Sequence, residues 1–486
     1  MRRRHPGPIA PALAAVLGMV LLGGCMVGPD FVRPPPPDEA GYAAPALHGA
    51  ADDLAQRFSA DATLPPDWWR LFASPVLDAQ VERALAHSPT LAAATAALRQ
   101  SEDALRAGQG AYWPQVELDA GATRERSAPA ASGSSLPGSV FSVYTAGAGV
   151  RYAIDLFGRR ARRTEALGAA VEVQRQQRHA AYLALTANVV QTTIACAAYE
   201  DQARLIDEAL ELQREQLRAL QAQERGGTAG HASVLQQEAQ IAATQATRAP
   251  LRQRLEQARH LLAVLEGASP GDWVPPALRL DELKLPHELP LSLSSALVRQ
   301  RPDILAAEAQ LHQASAEVGV ATAALYPDIS LGASYLDAGS RWNRLPAANG
   351  RFWSVGPSVT LPLFEGGALH YAERAAEEAH GQALAAYRQT VLEAFGQVAD
   401  RLVAIAQDAE LDRAEADALD AARRALALTR AQERAGLAAG VDRLGAEVQA
   451  RVAAIARLQA LALRHQDTVA LYAALGGGWW NGAEAP

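Results

Sequence analysis

Eleven histidines and two cysteines are the residues of this 486-residue chain best suited to metal or nucleophile chemistry. Their spacing supports neither. No HExxH pattern and no i,i+4 histidine pair occurs, so no helix presents two imidazoles to one metal ion. Gly147-Ala148-Gly149 begins like a dinucleotide-binding turn, but Tyr152 stands where the third glycine belongs and no Rossmann context follows. No P-loop and no nucleophile elbow is present. Cys196 lies in an apolar stretch and reads as a buried small hydrophobe. Cys25 differs. It follows Leu22-Gly23-Gly24 at the end of an apolar run, where it is placed to be modified rather than to catalyse. The reading is therefore of a non-enzyme, without catalytic residue, metal or energy-coupling motif.

The residues before Cys25 read as a leader. Arg2, Arg3 and Arg4 form a positive start, Ile9–Leu22 is apolar, and small residues close it. The ending resembles a bacterial lipobox, which makes 1–24 a removed signal and Cys25 the lipidated first residue. The expected modification is a diacylglyceryl group plus an N-acyl chain, since firm anchoring needs more than one chain. Met26 follows where an aspartate would signal retention at the inner membrane, so the outer membrane is the expected address. The formal charge of −8 becomes three units more negative when the leader arginines go, which argues against nucleic acid as a partner. With only Cys196 left besides Cys25, no intrachain disulfide is expected.

What positions these residues is a duplicated chain. Pro89–Leu118 and Pro302–Leu331 align without a gap, about 213 residues apart. AQER recurs at Ala222–Arg225 and Ala431–Arg434, each followed by a glycine, Gly227 and Gly436. Leu156-Phe157 is matched by Leu363-Phe364. In each copy a helix precedes a hairpin, and a long helix follows. Val76–Tyr112 is helical with a break at Pro89, Gln115–Ala120 and Val143–Ile154 alternate like strands, and Gly158–Arg225 is helical. That last run has no proline and, past Gly158, one glycine, for a length of about 100 Å at 1.5 Å per residue. Leu210 and Leu217, and their duplicates Leu419 and Leu426, are one heptad apart. Glycine-containing turns then reverse the chain into shorter helices ending near Leu265 and Leu475. In the second copy the expected elements are a helix over Leu291–Leu325, strands through Ile329–Tyr335 and Val355–Leu363, and a helix over Ala368–Arg434. Ala180–Ala198 is apolar enough to suggest a membrane span, but it sits inside a far longer helical pattern and reads as a buried wall segment.

Four strands cannot close a barrel, and open edges do not survive in lipid. Two chains would give eight strands, filled by their own side chains; three give twelve, with room for water. The expected architecture is mostly α with a small membrane β-barrel contribution, internally duplicated. It is a trimeric α-barrel joined to a 12-stranded β-barrel, with four strands per chain. Taken alone, each hairpin would also suit a soluble protein.

Several motifs resemble one family, the outer-membrane factors of tripartite efflux systems (TolC-like, NodT-type lipoproteins). They are Val27-Gly28-Pro29-Asp30-Phe31 with Arg33-Pro34, Trp68-Trp69-Arg70-Leu71-Phe72, Asp155-Leu156-Phe157-Gly158-Arg159, Arg301-Pro302-Asp303-Ile304, Tyr326-Pro327-Asp328-Ile329-Ser330-Leu331, Leu361-Pro362-Leu363-Phe364-Glu365-Gly366-Gly367 and Ala474-Leu475-Gly476-Gly477-Gly478-Trp479. The resemblance implies a homotrimeric, passive exit duct in the outer membrane with a long periplasmic extension. It would meet a periplasmic adaptor (membrane fusion) protein and an inner-membrane pump. It also implies tip turns at Arg225, Gly227, Arg434 and Gly436 that face the adaptor, and a periplasmic gate at Val441, Asp442 and Leu444. The family's further aspartate is absent, since Gly445 stands there. Asp442 also reads simply as a helix-start carboxylate near the helix dipole. The implied organisation is signal 1–24, lipid-anchored tether 25–75, first repeat 76–267, connecting segment 268–290, second repeat 291–475 and tail 476–486. A stand-alone porin-like trimer and a periplasmic coiled-coil scaffold lipoprotein are the competing readings.

Overall fold

The proline-free run folds as one helix, and the computed structural model repeats it at the same length. The structure describes residues 26–35, 56–59, 62–127, 137–275, 277–290, 297–345 and 349–481. The signal 1–24, Cys25 and tether residues 36–55, 60 and 61 lie outside the described residues. In chain order the elements are β1 (Arg57–Ser59), α1 (Pro75–His87), α2 (Pro89–Gln109), β2 (Gln115–Arg126), β3 (Val140–Ile154), α3 (Arg159–Arg225) and α4 (His231–Leu265). Then come β4 (Glu288–Pro290), α5 (Pro302–Ala323), β5 (Asp328–Gly339), β6 (Arg351–Thr360), α6 (Ala368–Arg434) and α7 (Gly440–Ala474). Helices α3 and α6 have 67 residues each, and α4 and α7 have 35 each. Every boundary of the second pair is shifted by the same 209 positions from the first.

The residues fall into two compact units. The first takes the described residues up to Pro34 with Leu98–Gln174 and Ala307–Tyr387; the second takes the rest. Each unit draws on both halves of the duplicated sequence, so the repeats are not two domains in space. The first unit holds one antiparallel sheet in the order β2-β3-β5-β6. The two hairpins of the duplication therefore join, through β3 against β5 with Ala148 opposite Tyr335. Asp155 fixes the corner after β3. Its carboxylate accepts the N–H groups of Arg160 and Ala161 at 2.9 Å each, satisfying donors that the start of α3 leaves open.

The second unit holds the densest core. Trp68, Phe72, Leu77, Val81, Val189, Val190, Ile194, Ile304, Val469 and Tyr472 are all at 0% exposure. Strand β1, short and unforeseen, pairs in parallel with β4. The tail is packed here too: Trp479 stacks on His179 at 4.3 Å and donates its indole N–H to Gln300 O at 2.9 Å. The heptad reading holds physically: Leu210 is buried in a cluster with Ile206, Ile241 and Leu251, against which Leu217 packs. Leu419 and Leu426 are buried as well. Among the described residues α3 is long and apolar enough to cross a membrane, yet more than half of that stretch is buried inside the protein.

Two sequence expectations need correction. The helix assigned to Leu291–Leu325 is interrupted: Leu297 is helical, 298–300 form a turn, and a continuous helix runs from Pro302 to Ala323, while 291–296 lie outside the described residues. Proline favours the first helical position and pushes its predecessor, Arg301, out of helical backbone. Strand β6 ends at Thr360, short of Leu363, opposite Asp328, where its partner β5 begins. Cys196 is half-buried rather than fully buried as the sequence suggested, and desolvation still raises its pKa to about 12. Native protein should therefore resist maleimide at neutral pH and react stoichiometrically once denatured. Fast labelling of the native protein would show that this stretch of α3 opens.

Candidate functional site

The sheet has two chemically different faces. Side chains alternate along a strand, so cross-strand partners share a face. One face carries Val116 and Leu118, Ala148, Val150 and Tyr152, Leu331, Ala333 and Tyr335, and Trp353, Val355 and Val359, aligned by register. Its large apolar side chains are exposed, Leu118 at 85% and Trp353 at 70%. The other face carries Glu117, Asp119 and Arg151 with Ser330, Ser334, Ser354 and Ser358, paved between by Gly147, Gly149, Gly332 and Gly356. Phe141, Val143, Leu336 and Phe352 are large apolar exceptions on it, all near the loop end. Charges on the apolar face gather at the loop end, namely Arg124, Arg126, Asp337 and Arg351. Aromatic residues bracket the apolar stretch: Tyr144 meets Trp342 edge-on at the loop end, and Phe157 stacks on Tyr326 at 4.8 Å at the other. From Ile329 to Tyr335 the apolar face runs about 20 Å along the strand. An exposed apolar band between aromatic girdles, backed by a polar face, suits lipid on one side and water on the other.

The helical tips form the second candidate region. Both turns close in the same way. Thr228 N–H donates to Gln223 O and Gly227 N–H to Glu224 O; Leu437 and Gly436 repeat the pattern on Gln432 and Glu433. This is a Schellman motif, which needs a left-handed residue after the helix, and Gly227 (φ 70°) and Gly436 (φ 73°) supply it. Arg225, Gly227, Arg434 and Gly436 are all exposed. The two tips then diverge. At the second, Arg443 binds Glu433 at 2.9 Å and Glu447 at 3.0 Å, and Arg430 reaches Glu447 at 2.8 Å. At the first, buried Val234 stands in the place of Arg443, and His231 meets Glu224 at 2.8 Å. Burial alone would raise the Glu447 carboxyl, but hydrogen bonds from Arg430 and Arg443 hold it below the ordinary range. The clamp's contribution is thus present above that range and is lost as pH falls through the depressed value.

Of the residues assigned to a gate, Asp442 is exposed and accepts the Ala439 N–H at 2.9 Å, so its carboxylate also holds the start of α7. Val441 is half-buried. Leu444 is 5% exposed and packs inside the tip, whereas its counterpart Leu235 is 51% exposed. The arginine–glutamate clamp escaped the reading of the sequence. Its signals were the i,i+4 spacing of Arg443 and Glu447 and the lack of an equivalent arginine in the first copy.

The family model for outer membrane efflux proteins matches residues 81–268 and again 293–477. The chain belongs to this family. Its two matched tracts are the two halves of the duplication. The pyoverdine export outer membrane protein OpmQ of Pseudomonas putida is 31% identical over 455 residues, 92% of this chain and 94% of that protein. The outer membrane protein OprJ of Pseudomonas aeruginosa is 30% identical over 97% of this chain and 96% of its own length. Among solved structures, the outer-membrane channel OprN superposes with a TM-score of 0.82 at 28% identity, covering 94% of this chain and all of that one. This outer membrane efflux protein is thus the outer-membrane component of an efflux system, with the mostly helical, α-barrel and β-barrel fold of such channels. The family is one of channels. Among the described residues no group of three or more histidine, cysteine or carboxylate side chains is placed to hold a metal ion.

Proposed function

We propose that three copies close edge to edge, β2 of one protomer on β6 of the next, into a twelve-stranded barrel that forms the passive exit of a tripartite efflux assembly. The observation that carries this reading is the two-faced sheet whose edges are β2 and β6. An apolar face of that extent suits lipid, and lipid tolerates no open edge. The polar face then lines a water-filled lumen whose glycines and serines offer little to grip a cargo. Small molecules, in keeping with the pyoverdine-export relative, would leave through it. A periplasmic adaptor meets the exposed tips at Arg225, Gly227, Arg434 and Gly436. An inner-membrane pump supplies the driving force, since the sequence carries no P-loop or other energy-coupling motif of its own. Lipid on Cys25 supplements the barrel as an anchor in the outer membrane. Val441 and Asp442 narrow the entrance, and Leu444 supports them from within.

Mass measurement in detergent tests the closure, where a trimer is expected and a monodisperse monomer would sink it. Planar-bilayer recording separates a gated duct from a stand-alone porin, the duct passing little current at rest. Three Asp442 carboxylates around one axis also predict that Asp442→Ala raises resting conductance several-fold. Unchanged closure would remove Asp442 from the gate.

A further inference from the structure

Residues 26–33 are seated in the first unit by one buried arginine. Arg162, in the first turn of α3, is 1% exposed. Its guanidinium donates to Val27 O and Gly28 O at 3.3 Å each, to Asp30 Oδ1 at 2.7 Å and to Glu165 Oε2 at 2.8 Å. Residues 26–33 lie along α5 in a definite register. Arg33 pairs with Glu308 at 2.6 Å, Phe31 stacks on His312 at 4.4 Å, and Gly28 packs on Gly319. Five residues of near-extended chain cover about 16 Å, and eleven residues of helix cover about the same. The strap therefore runs antiparallel to α5 without slack, toward the end of α5 that leads into β5. A Cβ on Gly28 would overlap the Gly319 backbone, and a Cβ on Gly319 would lie 2.8 Å from Arg162 Cγ. The strap ends with Val27 N–H on Phe157 O at 3.2 Å and Met26 against Gly158, at the corner where β3 becomes α3. His312 also meets Glu165 at 2.9 Å, so strap, α3 and α5 share one polar network.

We propose that Arg162 is a positioning residue for membrane anchoring. Its clasp fixes the first residues of the mature chain beside Phe157 and Tyr326, at the edge of the sheet's apolar band. Acyl chains on the residue before Met26 then enter the leaflet that the sheet itself meets, and anchor and barrel hold one depth. A buried guanidinium without its strap acceptors is costly, so the strap is bound as firmly as the arginine is buried. The membrane half of this inference rests on the lipid-anchor reading; the clasp does not.

The test uses the full mature chain carrying Cys25→Ser, Cys196→Ser and Met26→Cys, with a nitroxide on the new cysteine, reconstituted in phosphatidylethanolamine–phosphatidylglycerol vesicles. The expected spectrum is immobilised, and the label should be reached by both dissolved oxygen and an aqueous nickel chelate, as at a lipid surface. Arg162→Met should abolish the immobilised component, and Arg162→Lys should restore part of it. Asp30→Ala with Phe31→Ala should also free the label while sparing the Arg162–Glu165 and His312–Glu165 contacts, which covers the case in which Arg162→Met fails to fold. A label that is mobile in the parent, that stays immobile in the strap variant, or that is reached by the nickel chelate alone overturns the proposal. Mass spectrometry of the unaltered protein reports separately on acylation of Cys25. An unacylated cysteine with an intact clasp would fail the anchor reading and leave the clasp standing.

Discussion

Ala333→Arg should abolish assembly in the membrane, while Ser334→Arg, one residue along, should leave it intact. The two positions are neighbours in β5 and both are exposed. Their side chains stand on opposite faces: Ala333 lies opposite Val150 and Val355, and Ser334 opposite Gly149 and Ser354. An arginine facing lipid near the bilayer midplane costs about 2–4 kcal/mol per strand, and a closed trimer meets that cost three times. An arginine on the polar face stays in water. A heat-resistant oligomer is expected on gels for the parent; it should disappear for Ala333→Arg and persist for Ser334→Arg, with the latter altering conductance and ion preference instead. Equal behaviour of the two variants would show that the sheet does not separate lipid from water.

That contrast was legible in the sequence only in part. Alternation through Ile329, Leu331, Ala333 and Tyr335 marks a two-faced strand, and Val355 to Val359 marks its partner. Neither says that the two hairpins share one sheet. The joining pair, β3 on β5, spans more than 170 residues of chain and leaves no local trace. The long helices were the easiest elements to read, because absence of proline over 67 residues, with only one glycine in the first copy and two in the second, is decisive and the second copy repeats the length. Their tips were readable for the same reason, since a glycine placed just past AQER in both copies is a helix stop.

Elements held by a single distant side chain were not readable. Arg162 sits among several arginines after Gly158, and nothing in Arg159–Arg163 distinguishes the one that is 1% exposed from its solvated neighbours. Arg301 is similar. It grips Asp303 at 2.6 Å, Ala474 O at 2.9 Å and Gln397 at 2.9 Å, partners far away in the chain except the first. The motifs Val27–Phe31 and Arg301–Ile304 were visible as strings, but their meaning lies in what they touch. The gate region shows the converse. Val441, Asp442 and Leu444 look like one cluster in the sequence, yet helical geometry turns Leu444 inward and leaves Asp442 out, because residues two apart on a helix point to different sides.

Trp68→Ala should cost the second unit about 3–5 kcal/mol, the range for emptying a buried aromatic site. Trp68 is 0% exposed and meets Trp69 edge-on at 6.0 Å and Tyr472 at 5.7 Å. Trp69 is tilted against Tyr182 of α3, and Phe72 against His465 of α7. The short turn Trp68–Phe72 is thus the wedge on which α3 and α7 are both seated. The void left by alanine has little to fill it. Phe72 and Leu77 are fully buried in their own places, and the chain before the turn is tied down, with Leu64 O accepting the Asn481 amide at 2.8 Å. Aromatic burial also isolates His465, whose pKa falls to about 4 because desolvation disfavours its charged form. A hydrated cavity beside it would raise that value toward the ordinary one. Thermal unfolding of Trp68→Ala should start well below that of the parent, and native-state protease should first cut the segments around the turn. Trp68→Phe should recover a large part of the loss, because it keeps the ring contacts. If Trp68→Ala unfolds together with the parent, the turn is a passive cover, and the seating of α3 and α7 must come from their own aliphatic contacts at Val189, Ile194 and Val469.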